Sequence, residues 1–182
     1  MKKYLYIVFM ISLSYGQDLS FGLRFEPTLF VTEQANDNSV SFTPYSLYLS
    51  AKYSPIEWLS LEIRPGYIWG GDYGGFDLGG FAWINNAFLS NFYFIAGINN
   101  HSNEIGNTHH GSGNYIKKML FTGIGFGYKK DKVLSIDLMY YWTNDKDFAY
   151  TTTNTSEGIP KFINKKMNAI LKLGFSFYFE LL

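Results

Sequence analysis

Over most of its length the chain alternates apolar and polar residues with a period of two, and this pattern most narrows what it can fold into. A period of two sends successive side chains to opposite faces of an extended strand; a helix would repeat its apolar residues every third and fourth position. The last segment is the clearest. Ala169, Leu171, Leu173, Phe175, Phe177, Phe179 and Leu181 share one face, while Asn168, Lys172, Gly174, Ser176 and Glu180 share the other, with Ile170 and Tyr178 among them. Leu134, Ile136, Leu138, Tyr140 and Trp142 oppose Ser135, Asp137, Met139, Tyr141 and Thr143. Leu59, Leu61, Ile63, Pro65, Tyr67 and Trp69 oppose Ser60, Glu62, Arg64 and Gly66. Tyr45, Leu47, Leu49, Ala51 and Tyr53 oppose Ser46, Tyr48, Ser50 and Lys52, and Phe21, Leu23 and Phe25 oppose Gly22, Arg24 and Glu26. Weaker alternation marks strands near 91–101 and 119–129, and Phe76–Ile84 is a further strand in which Gly79-Gly80 could hold a face-switching bulge. The pattern predicts eight strands.

The connections fall into two kinds. Tight turns are expected near Ser54–Glu57, Asn86–Ser90 and Lys129–Lys132; longer connections are expected at Thr32–Val40, Gly70–Gly75, Ser102–Lys118 and Asn144–Lys166. Short turns on one rim and long loops on the other suit an up-and-down barrel whose long loops face outside the cell.

Period two leaves open which face is inside. A soluble, lipocalin-like carrier would turn the apolar face inward and cover its exterior with charge. Here charged residues are 16% of the chain, against about 25% in an ordinary soluble domain, and the apolar faces carry almost none of them. Aromatics make up 20% and gather at strand ends: Tyr53, Tyr128 and Phe179 toward the short turns, Tyr67, Trp69, Tyr140 and Trp142 toward the long loops. Two such girdles mark two water–lipid interfaces. The fold expected is therefore all-β: a membrane-spanning, eight-stranded, antiparallel up-and-down β-barrel.

The N-terminus agrees. Met1-Lys2-Lys3 is cationic, Tyr4–Leu13 is apolar, and Ser14-Tyr15-Gly16 supplies small residues at a cleavage site, the layout of an export signal over 1–16 preceding a barrel over 17–182. The ten apolar residues would span about 15 Å as a helix, half of a hydrocarbon core of roughly 30 Å. Without Lys2 and Lys3 the chain carries 13 basic and 15 acidic residues, so it lacks the basic excess that nucleic-acid binding requires. The absence of Cys excludes disulfides, thiolate metal sites and a lipidated N-terminal cysteine.

The stretch Lys172-Leu173-Gly174-Phe175-Ser176-Phe177-Tyr178-Phe179 resembles the C-terminal signal of bacterial outer-membrane barrels: a polar residue, Gly two later, then hydrophobics three and five after that Gly. Glu180-Leu181-Leu182 stands where that family ends on an aromatic. The whole chain resembles the small eight-stranded barrels that include outer membrane protein X and the transmembrane domain of outer membrane protein A. The resemblance implies an outer-membrane location, contact with outer-membrane lipid, and the barrel assembly machinery as a partner reading Lys172, Gly174, Phe177 and Phe179.

Six charges fall inside strands on the polar face: Arg24, Arg64 and Lys172 against Glu26, Glu62 and Asp137. Eight strands enclose a lumen that side chains just fill, so these are expected to form an ion network plugging the barrel, with a narrow gated ion path as the alternative. An open sugar porin needs about 16 strands. The sharpest local cluster is Asn99-Asn100-His101-Ser102-Asn103. It resembles the His-x-Ser-Asn stretch of outer-membrane phospholipase A and the lipid A deacylases, where His is the base for a Ser nucleophile. Here His101 and Ser102 are adjacent, which sends them to opposite faces unless a bulge intervenes. An outer-leaflet lipid hydrolase using this pair is the enzymatic alternative. His109-His110 lack a neighbouring acidic or Cys ligand, so no metal or other cofactor is expected. Gly123-Ile124-Gly125-Phe126-Gly127 lacks the strand-to-helix context of a phosphate loop and reads as small residues along a strand, and Asn154-Thr155-Ser156 matches a glycosylation acceptor by pattern only. The leading reading is a monomeric, non-enzymatic barrel whose loops, above all Ser102–Lys118 and Asn144–Lys166, meet an extracellular ligand.

Overall fold

The computed structural model describes residues 18–70, 73–86, 89–103, 112–154 and 160–180. The strands are β1 (Asp18–Phe25), β2 (Thr28–Gln34), β3 (Asp37–Thr43), β4 (Ser46–Ile56), β5 (Leu59–Ile68), β6 (Gly75–Asn85), β7 (Phe92–Asn103), β8 (Ser112–Asn114), β9 (Lys117–Lys129), β10 (Leu134–Trp142), β11 (Asp147–Asn154) and β12 (Pro160–Glu180). Residues 1–16, read as the export signal, lie outside the described residues, as do His109, His110, Thr155 and Ser156. No described helix is long and apolar enough to cross a membrane.

The closed path is β1-β4-β5-β6-β7-β9-β10-β12, every pair antiparallel, with β12 returning to β1. The other four strands continue barrel staves beyond short interruptions. Two interruptions fall at Pro27 and Pro44, which have no N–H for a ladder. At the first, Leu173 N–H donates to the Pro27 carbonyl at 3.0 Å, so β12 bridges the break. Counted by stave, the barrel has eight.

The staves are longer than the sequence pattern implied. β12 has 21 residues, about 70 Å of extended chain at roughly 3.3 Å per residue, against a hydrocarbon core of about 30 Å. Its upper half pairs with β2 on one side and β11 on the other, and the order β3-β2-β12-β11-β8 forms an open sheet above the closed barrel. Three expected loops are thereby corrected. Thr32–Val40 is a hairpin turning at Ala35 and Asn36, whose φ values of 52° and 71° are those of a two-residue type I′ turn. Asn144–Lys166 contains β11 and the start of β12, and Ser102–Lys118 contains β8. Outside the bilayer no hydrocarbon demands an apolar stripe, so polar strands such as Asp37–Thr43 read as loop.

Phase is kept where alternation was clear. Leu49, Ile63 and Phe126 are 61%, 60% and 57% exposed on the outer wall, whereas Arg24, Arg64 and Tyr48 are buried in the lumen. β6 alternates through Gly79–Gly80 with no bulge, burying Asp77, Phe81 and Trp83. A register shift does occur at Met167/Ala169: Asn168, expected on the lumen face, is the extra residue, and Met167 is buried.

Small residues make room for large ones. Gly123, Gly125 and Gly127 face inward, where a Cβ would run into Tyr141, Met139 and Tyr93 respectively. That is the role of the Gly-Ile-Gly-Phe-Gly run.

Candidate functional site

Arg24, one residue from the end of β1, sits at the centre of the lumen. Its Nη1 donates to Asp137 Oδ2 and Ser176 Oγ, both at 2.7 Å; Nε pairs with Glu26 and Nη2 with Asp137 Oδ1. The guanidinium occupies the space that a side chain at position 174 would fill, so Gly174 is required by packing as well as by any assembly signal. Arg64 chelates Glu62 through Nη2 (2.6 Å) and Nε (3.2 Å) and reaches Glu26 through Nη1 at 3.0 Å. Lys172 Nζ donates to Asp77 Oδ2 at 2.9 Å and to Tyr48 Oη at 2.7 Å, and lies 3.4 Å from Glu26 Oε2. All six charges singled out from the sequence meet in one connected network.

Two further lumen charges were not singled out from the sequence. Asp77 accepts from Tyr48 Oη and pairs with His101 Nδ1, both at 2.6 Å, and lies in the strand whose register the sequence left open. Strict alternation back from Trp83 would have placed it inside. Lys52 stands directly across from Glu62, yet the Glu62 oxygens are occupied by Arg64, Trp83 Nε1 at 2.8 Å, Ser50 and Tyr178. Lys52 instead rests on the Tyr178 and Trp83 rings, 3.6 and 4.9 Å from their centroids. Among the described residues the lumen thus holds four cations, Arg24, Lys52, Arg64 and Lys172, against four carboxylates, Glu26, Glu62, Asp77 and Asp137.

Rings close both ends of this ionic layer. Toward the short turns Trp83 stacks on Tyr93 at 4.3 Å. Toward the long connections Tyr73 lies flat on His101, centroids 3.9 Å apart, and meets Phe30, Phe121 and Phe148. Among the described residues this ionic layer is sealed from solvent, every one of its charged side chains being buried.

His101 and Ser102 do not form a catalytic pair. His101 pairs with Asp77 across the lumen side of β6–β7, whereas Ser102 pairs with Phe76 on the outer face. β7 has no bulge to bring them together, so a nucleophile–base hydrogen bond is geometrically closed.

The girdle residues sit at the barrel ends. Tyr67 and Trp69 rings are 4.9 Å apart, Tyr140 stacks on Trp142 at 5.9 Å, and Tyr128 meets Phe92 at 5.3 Å. Phe179 is exposed, Tyr53 is half-buried, and Trp58, not singled out from the sequence, joins the short-turn end. Lys172 and Gly174 of the C-terminal stretch face the lumen, Phe177 and Phe179 the outer wall. At that rim Lys132 is 3.1 Å from Glu180 and 3.7 Å from Asp18; the hydrogen bond to Glu180, then the Asp18 charge, hold its ammonium above the usual lysine range.

Charge sealed inside and hydrocarbon side chains outside are the reverse of a soluble barrel, and they define the class: a small, eight-stranded, membrane-spanning β-barrel. The lipocalin-like alternative fails because the apolar face is the outer one. The fold is similar to solved structures of Neisserial surface protein A, with 15% identity, coverage of 87% of this chain and 97% of that one, and a TM-score of 0.46. It is similar also to the outer membrane protein OprG from Pseudomonas aeruginosa, with 10% identity, 89% and 96% coverage and a TM-score of 0.46. For Ail, the attachment invasion locus protein of Yersinia pestis, the figures are 10%, 90% and 97%, and 0.41. No protein-family model and no curated protein sequence matches the chain.

Proposed function

We propose that this chain is a non-enzymatic anchor of the Gram-negative outer membrane, whose plugged barrel holds an extracellular sheet in position to contact a partner. The observation that carries the reading is the open sheet β3-β2-β12-β11-β8 standing on a closed, charge-filled barrel. A rigid scaffold that extends its staves well beyond the bilayer is suited to presenting surface. The export signal over 1–16 and the C-terminal stretch ending at Phe179 support delivery through the barrel assembly machinery, and the barrel closes on itself as a monomer in outer-membrane lipid. The balanced, hydrogen-bonded lumen favours a structural plug over an ion path.

Labelling in cells tests the arrangement. The chain has no Cys, so Phe42→Cys introduces a single thiol on the sheet. A membrane-impermeant maleimide should label it in intact cells. Labelling only after the envelope is broken would overturn the outward orientation and with it the proposed role.

A further inference from the structure

Above the bilayer, among the described residues, the wall is open along one edge. Among the described residues β3 pairs with β2 and with no other strand. The two-residue turn makes Gln34 and Asp37 a hydrogen-bonded pair, so alternation commits Asp37, Ser39 and Ser41 to β2 and turns the N–H and C=O of Asn38, Val40 and Phe42 toward the open edge. Among the described residues no backbone group bonds to these three on that side. Edges are ordinarily blunted by Lys, Pro or a bulge, and Asn38–Phe42 has none of them. Val40 and Phe42 also project their side chains, 65% and 64% exposed.

A recess of about 250 Å³ lies beside this edge. Ser41, Phe42 and Thr43 of β3 all line it, so it adjoins the open edge. Its floor is a set of buried rings, with Phe30 and Phe148 centred 5.1 and 5.9 Å from Tyr73. Lys165 Nζ stands 5.8 Å from the Phe148 centroid.

Building on the reading of the sheet as a contact surface, we propose that the β3 edge takes up an extended polypeptide segment as an added strand, and that the recess holds one aromatic side chain of that segment. Backbone donors and acceptors on alternate residues match another extended chain and no other common ligand. An incoming side chain directed inward near Ser41 enters the recess, where rings offer edge-to-face contacts and Lys165 a cation. Its two sequence neighbours point outward beside Val40 and Phe42, where apolar residues make the favourable cross-strand pairs. The partner motif is therefore apolar–aromatic–apolar.

The test uses folded protein in detergent, its fold verified by faster gel migration unheated than boiled. Two capped, fluorescent probe peptides are compared, Thr-Val-Tyr-Val-Thr and Thr-Val-Ala-Val-Thr. The Tyr peptide should bind about tenfold or more tighter than the Ala peptide. Phe148→Ala should reduce it to the Ala level, and Val40→Pro, which removes an edge N–H while sparing the β2 ladder, should abolish both. Equal binding of the two peptides, both lost in Val40→Pro, would overturn the recess and leave the edge standing. Binding by neither, or binding indifferent to Val40→Pro, would overturn the edge. A dimer in detergent that Val40→Pro converts to monomer would overturn the partner assignment, giving the edge to a second copy of this chain.

Discussion

Arg24 shows how closely single residues are coupled in this lumen. It is paired with Glu26 and Asp137 and packed against the bare backbone of Gly174. Buried ion pairs contribute little net stability when whole, yet removing one partner strands the others without water. Arg24→Met should therefore destabilise the barrel by about 3–5 kcal/mol, and adding Asp137→Leu should restore a substantial part; urea unfolding from lipid vesicles reads both. Gly174→Val, which leaves every charge in place, should also destabilise, because its side chain claims the guanidinium's space. For the adjacent pair His101–Ser102, the opposite faces they occupy lead to a negative expectation: purified protein should hydrolyse neither phospholipid nor lipid A esters, and His101→Ala should change nothing in that assay.

At the scale of elements, the β2–β3 hairpin turns on a residue poorly suited to its backbone conformation. Ala35 holds φ at 52°, a region that costs an ordinary L-residue about 1–2 kcal/mol and that Asn or Gly enters far more readily. Ala35→Gly should stabilise the hairpin by roughly 0.5–1 kcal/mol, seen as slower hydrogen exchange of the Thr32 and Gln34 amides. The missing Asn-Gly or Asp-Gly signal is also why Thr32–Val40 reads as a loop from sequence. β6 shows the other side of legibility: two adjacent glycines allow a bulge, and only pairing with β5 and β7 over its full length settles that none occurs.

For the whole molecule, one outward substitution distinguishes the two zones of the same wall. Ile63→Arg, in the hydrocarbon belt, should cost about 2–4 kcal/mol in vesicles, whereas Phe42→Arg, on the extracellular sheet, should cost at most about 1 kcal/mol. Equal costs would place the bilayer boundary elsewhere. The sealed ionic layer has its own consequence: planar bilayers containing the refolded protein should show no steady single-channel current.

Alternation by itself determined the eight membrane-spanning staves, their inward and outward faces, and hence the lumen position of the six charges singled out, because under a hydrocarbon solvent every outward position must be apolar. It also separated His101 from Ser102. Only the tertiary structure decided which carboxylate meets which cation, since Asp77 is met by Lys172 from another strand while Lys52, directly across from Glu62, rests on the Tyr178 ring instead. Asn168 shows the same limit, its bulge being a property of the pairing with β2. The open extracellular sheet was likewise beyond the pattern: outside the bilayer polar strands and polar loops have similar compositions, and hydrogen-bonded pairing alone distinguishes them.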